Sequence, residues 1–350
     1  MHAMITRRSW ALAGATAAAT LLLMPGPAHA DKSPGSGSQG NSSADGRREG
    51  QDIVSVIRFS GATRGGGGDG GGALKPVGNW SPPACWYEPR TAEQFRDQVE
   101  RTYESTVNFP GQHSYAKAAV GQFRDKYKDG EYKNYNLKEK DKGNWWVAVR
   151  DEDRWMEEAA QQCDKEPFWV ENGDTPPVEN ALTPELLAEL AYNRLRLPDT
   201  KVSLAPDGAT KVNLPTWAWL DEAAFKPVSV TASVDVPGLD LKATTTARPD
   251  ALKLDPGTAD ARTHPASGEC APGGDGSIGA PYKKGRADET PPCGLTYLRS
   301  SGKGTFKLQA MITWRISWSG TGDAGPNELP SGTFGADQPV TVEEVQSVNR

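Results

Sequence analysis

The sequence predicts an α+β fold: a small helical N-terminal region packed on an antiparallel β-sandwich. Three observations carry that expectation. Between about 76 and 198, apolar residues recur at a spacing of three to four, as on amphipathic helices. From about 200 onward they alternate with polar residues, as half-buried antiparallel strands do. The cysteines Cys85, Cys163, Cys270 and Cys293 fall two in each region. The layout is a signal peptide over 1–30, a Gly/Ser-rich leader over 31–75, a helical region over 76–198 and a sandwich over 199–350.

Arg7 and Arg8 precede an uncharged stretch from Ser9 to Met24, and Ala28-His29-Ala30 follows. A basic n-region, an apolar h-region and a small-residue cleavage site read as a secretory signal, with Asp31 as the new N-terminus. The apolar segment is short for a span of roughly 20 residues, and no later stretch is apolar enough to cross a membrane. Thr6-Arg7-Arg8-Ser9-Trp10 resembles a twin-arginine signal; the general secretory route fits the same residues and stays open. Removing 30 of the 350 residues, with two positive charges and no negative ones, leaves 320 and takes the net charge from -6 to -8. That balance argues against nucleic acid and anionic membrane surfaces as partners.

From 31 to about 50 the leader is Ser, Gly, Asp and Arg, too polar to offset the entropy of ordering. Ile53 to Phe59 makes one apolar island, expected as a short strand over 53–59. The Gly65–Gly72 tract is flexible by composition. It is not a phosphate loop, which needs Lys followed by Ser or Thr. Gly302-Lys303-Gly304-Thr305 fails as one because Tyr297 stands where the leading glycine belongs; it reads as a hairpin turn.

In the helical region, Thr91-Ala92-Glu93-Gln94 fits a capping box. Phe95, Val99, Tyr103 and Val107 follow at spacing four, and Pro110-Gly111 ends the helix. Ala116, Val120, Phe123 and Tyr127 make a second stripe; Trp155, Ala159 and Cys163 make a third. Thr183-Pro184 is an N-cap with proline at the first helical position, leading through Leu186, Leu187, Leu190 and Leu197 to Pro198.

In the sandwich region, Val228, Val230, Ala232, Val234 and Val236 share one face, as do Leu239, Leu241, Ala243, Thr245 and Ala247. Phe306 to Trp318 is a third, long strand. Shorter candidates are 202–204, 211–214, 252–254, 295–298 and 340–348, the last with a bulge at Glu343-Glu344. An even cysteine count in an exported chain predicts two disulfides. Of three pairings, Cys85–Cys163 with Cys270–Cys293 is favoured because each pair stays within one region.

Candidate chemistry is sparse. Extended, Trp217 and Trp219 lie about 7 Å apart on one face, where adjacent sugars could stack with Asp221 as hydrogen-bond partner; the competing reading makes both tryptophans interface core. The 11 tryptophans of this polar chain fit either use. Asn144-Trp145-Trp146 and Asp151-Glu152-Asp153 raise glycoside hydrolysis by paired carboxylates, against plain complementation of a helix dipole. The mature chain keeps only His113 and His264, without G-x-S-x-G, H-E-x-x-H or C-x-x-C, so no catalytic residue, no metal site and no cofactor is expected. Asp255, Asp260 and Asp275 match no calcium-loop spacing.

The stretch from about 227 to 319 resembles the immunoglobulin-like sandwich of PKD-type domains. Leu252-Lys253-Leu254-Asp255-Pro256-Gly257 sits where those carry a W-D-F-G-D-G-like segment, and Leu295-Thr296-Tyr297-Leu298 where they carry a tyrosine-containing strand. The chain lacks the Trp and the G-D-G and inserts a loop between the two. More widely it resembles secreted actinobacterial proteins of unknown function, through Cys85-Trp86, Asn213-Leu214-Pro215-Thr216-Trp217-Ala218-Trp219 and Val342-Glu343-Glu344-Val345-Gln346. The expectation is a secreted non-enzymatic binding or interaction module, with cell-wall glycan or another extracellular protein as partner. The alternatives are a wall glycan or peptide hydrolase and a structural component of a surface or secretion assembly.

Overall fold

A computed structural model describes residues 55–61, 72–197, 201–220 and 225–345. The expected signal peptide, most of the expected leader and Asp221 lie outside these residues. The described part is mostly antiparallel sheet with a few helices, an α+β architecture.

The N-terminal half begins with β1 (Arg58–Gly61), β2 (Gly72–Ala73) and β3 (Lys75–Pro76), then β4 (Cys85–Arg90), α1 (Ala92–Asn108) and α2 (Ser114–Lys128). It continues with β5 (Gly143–Arg150), β6 (Phe168–Glu171), α3 (Pro184–Arg194) and β7 (Arg196–Leu197). The capping box forms as its residues demand: Thr91 Oγ1 accepts from Gln94 N, and Gln94 Oε1 accepts from Thr91 N. Thr183 caps α3 by accepting from Leu186 N at 3.1 Å. The region expected to be helical nevertheless contains the antiparallel sheet β4–β5–β6. β4 is buried at every position, so it shows no alternation that could betray a strand. The third expected stripe is also not a helix. Trp155 lies in a run of turns, and Ala159 in the 3-10 turn Glu158–Gln161. The Asp151 carboxylate accepts from Asp153 N at 3.0 Å, a local bond that competes with helical continuation.

Against this sheet, Phe95 stacks on Trp145 at 4.5 Å between ring centres, with Tyr127 edge-on at 5.2 Å. The indole of Trp145 donates to Tyr135 O at 2.9 Å. That bond helps hold Lys133–Asn136, four consecutive residues with positive φ. Asn144-Trp145-Trp146 are therefore strand and core residues.

The C-terminal half contains β8 (Ser203–Ala205), β9 (Ala209–Lys211), β10 (Pro215–Trp219), β11 (Val228–Val236), β12 (Leu239–Asp255), β13 (Ala261–His264) and β14 (Glu269–Cys270). β15 (Gly294–Tyr297), β16 (Phe306–Gly320) and β17 (Asp323–Glu343) complete it. The large sheet runs β1–β11–β12–β16–β17–β3, with β14 joined to β12 and β9 parallel to β17. The alternation of 228–236 is real: Val230, Ala232, Val234 and Val236 are buried. The expected strand at 252–254 is the far end of β12, which shifts register between Pro249 and Ala251. The last strand starts at Asp323 and ends at Glu343, so no bulge forms at Glu343-Glu344. Gly302–Thr305 is not a hairpin, because β15 and β16 belong to different sheets.

The small sheet runs β13–β15–β10–β8. Its inward side chains, Leu204, Ala218, Leu295 and Tyr297, share one core with Leu252, Leu254, Leu308, Ala310 and Ile312 of the large sheet. The other end of the large sheet is covered by α3, which packs on β11, β12 and β16, and Thr245 Oγ1 donates to Ala188 O at 2.8 Å. Both expected disulfides are present, Cys85–Cys163 and Cys270–Cys293.

Candidate functional site

The outer face of the small sheet gathers the most distinctive side chains. Register places His264, Gly294, Trp217 and Ala205 in one row across four strands. Arg262, Thr296 and Pro215 form the neighbouring row on the same face, and Trp219 lies two residues beyond Trp217. Side chains alternate across a strand. Since Thr216 and Ala218 point inward, Trp217 and Trp219 point away from the core.

Trp217 is only 1% exposed although it faces outward, and it stands apart from the contiguous hydrophobic core. Its cover comes from the segment between Cys270 and Cys293. Tyr282 meets its ring edge-on at 5.9 Å, and the Arg286 guanidinium carbon stands 5.3 Å from the ring centre. Arg286 is braced within the same segment by Glu289, at 2.7 Å. The Trp217 indole N–H is buried with no acceptor among the described residues. An orphan of this kind costs about 1–3 kcal/mol.

The segment has two unlike parts. Its first part is anchored: Ile278 is buried in the core, Leu220 N donates to Ile278 O at 3.0 Å, and Gly279 bridges Trp219. Its second part rests on the sheet without a ladder. Lys283 to Thr290 are all exposed, and their backbone bonds, Arg286 N to Lys283 O and Glu289 N to Arg286 O, are internal. On the opposite flank, His264 Nε2 and Thr296 Oγ1 are 3.0 Å apart. Burial, then the Arg262 charge, lowers the His264 pKa. His264 lies on β13, at the edge of the small sheet.

Compared with protein-family models, curated proteins and solved structures, the chain finds no match.

The other sequence candidates do not converge. Asp151 accepts from Asp153 N and from Asn193 Nδ2, while Glu152 and Asp153 are exposed on a turn. Asp255 and Asp275 cap their own loops through Gly257 N and Ser277 N, and Asp260 pairs with Arg299. His113 is exposed and stacks on Tyr115 at 5.6 Å. Among the described residues, no group of three or more His, Cys, Asp or Glu side chains could hold a metal ion. No described helix is long and apolar enough to cross a membrane. Two open depressions, of 390 Å³ beside Lys211–Leu214 and 610 Å³ at the Asp235–Asp240 turn, lie apart from the aromatic face. Sequence reasoning found the Trp217/Trp219 pair from its spacing. It missed Tyr282 and Arg286, whose roles exist only through long-range contact.

Proposed function

We propose that this chain is a secreted, non-enzymatic binding module for cell-wall carbohydrate, with an immunoglobulin-like, PKD-like sandwich as its scaffold. The outer face of the small sheet is the binding face. One observation carries the reading: two tryptophans project outward from one strand, and the first owes its cover to a tethered excursion rather than to the core. Trp rings present flat apolar faces with a polar N–H, suited to stacking on a sugar ring and donating to its hydroxyls. The two disulfides support an extracellular setting, as does the Arg7-Arg8 leader with its Ala28-His29-Ala30 site.

The test is co-sedimentation of residues 31–350 with purified wall sacculi, beside Trp219→Ala and Trp217→Ala, with circular dichroism to confirm folding. Retention of the wild type and its loss in a folded variant supports the reading. Failure of the wild type to pellet overturns it.

A second reading, docking of another extracellular protein, draws on the helical hairpin. Phe109 is 58% and Tyr115 64% exposed at its tip. Sedimentation that survives both Trp variants but fails in Phe109→Ser/Tyr115→Ser would move the wall-binding face to that tip and count against protein docking there.

A further inference from the structure

We infer that residues 280–290 are a disulfide-tethered flap that holds Trp217 closed, and that its opening admits an anionic carbohydrate. The inference rests on the binding reading above and adds a gate and a ligand class to it.

The gate follows from the division of the segment. Its first part is locked by Ile278 and by the Gly279 backbone against β10. Its second part is held over Trp217 by Tyr282 and Arg286, and Cys270–Cys293 limits how far it can travel. A cation over an indole face is a modest attraction at an exposed site, and Arg286 is exposed. The contact can therefore be exchanged for a ligand of similar strength. Opening also frees the Trp217 N–H, now without an acceptor, to donate to a ligand oxygen.

The ligand class follows from charge. The flap and the adjoining row carry Arg262, Lys283, Lys284 and Arg286 against Asp288 and Glu289, on a chain of net charge -6. Arg262, Lys283 and Lys284 are exposed, with no acidic partner among the described residues. A sugar ring on Trp217 with carboxylates beside these cations satisfies both features.

The experiment uses residues 31–350 with both disulfides intact, and the variant Tyr282→Ser/Arg286→Lys, which loosens the flap and keeps its charge. Oxidation by N-bromosuccinimide, mapped by peptide mass, reads the exposure of Trp217. Polygalacturonate and dextran serve as acidic and neutral probes. Trp217 should oxidise about tenfold faster in the variant, and polygalacturonate should bind about tenfold tighter, since apparent affinity scales with the open fraction. Dextran should not follow. Unchanged oxidation of Trp217 overturns the flap. Faster oxidation without tighter polygalacturonate binding, or with dextran gaining equally, overturns the ligand class. Glu289→Gln removes only the brace on Arg286 at an exposed position, and should speed oxidation about threefold; no change there overturns the latch even if the double variant misfolds. Failure of the wild type to bind sacculi would strike the binding reading alone, because oxidation reports the flap without any ligand.

Discussion

Glu88 and Arg90, two residues apart on one face of β4, form an ion pair whose side chains are 0% and 3% exposed. The same carboxylate accepts from Ser55 Oγ at 2.8 Å, Val56 N at 3.1 Å and Trp86 Nε1 at 3.1 Å. It therefore joins the strand sheltering the first disulfide to the segment that leads into β1. Removing the Glu88 carboxylate breaks that pair and takes the acceptor from Ser55 Oγ, Val56 N and Trp86 Nε1, at a cost of about 3–5 kcal/mol. Glu88→Ala should show that loss as a lower urea midpoint. A shift below about 1 kcal/mol would mean that the pair is as dispensable as a surface one.

Glu189 gives stability a different pH dependence. Burial, then the neighbouring charge of Glu185, raises its pKa to about 7 from an ordinary 4.5. A carboxyl raised on folding binds its proton more tightly in the native state. Its favourable contribution is present below pH 4.5 and is lost as pH rises through about 7. Glu189→Gln should match the wild type at pH 4 and be more stable at pH 8, by up to about 3 kcal/mol. Thermal unfolding at the two pH values checks it; equal differences at both would remove titration of Glu189 as the cause.

The two disulfides should contribute unequally. They close loops with sequence separations of 78 and 23 residues. Chain entropy assigns about 4.5 kcal/mol to the longer and about 3 kcal/mol to the shorter. Cys85→Ser/Cys163→Ser should therefore lower the unfolding midpoint more than Cys270→Ser/Cys293→Ser. The second variant should also speed Trp217 oxidation, because its flap loses one anchor. The reverse order of midpoints would point to native strain or residual unfolded structure in place of loop entropy.

What the sequence could reveal was limited by how each element meets its neighbours. β11 and most of β16 were legible because only one face is buried, so Val230, Ala232 and Val234 alternate with polar residues. β17 was legible only at its end. Pro326, Pro330, Gly332, Gly335 and Pro339 interrupt any alternation there, yet they fit a strand bordered by β3 and β9 only over short stretches. β4, buried on both faces, carried no period at all. At the site, spacing put Trp217 and Trp219 on one face of a strand. Which face turned outward, and what covered it, depended on the fold of the whole sheet.

Gly279 tests the hinge of the flap most directly. Its φ is +77°, and a Cβ there would lie 2.2 Å from Ala218 O. The contact is with backbone, so no side-chain rotation relieves it, and the loop must leave β10. Gly276 has φ +83° but open space around it. Substitution there meets only the left-handed penalty, about 1 kcal/mol. Gly279→Ala should cost about 2–4 kcal/mol and expose Trp217 to oxidation, whereas Gly276→Ala should leave Trp217 protected. The comparison separates conformational strain from the close approach of loop to strand. Equal costs at the two glycines would show that Gly279 serves only its dihedral angles and that the flap is anchored elsewhere.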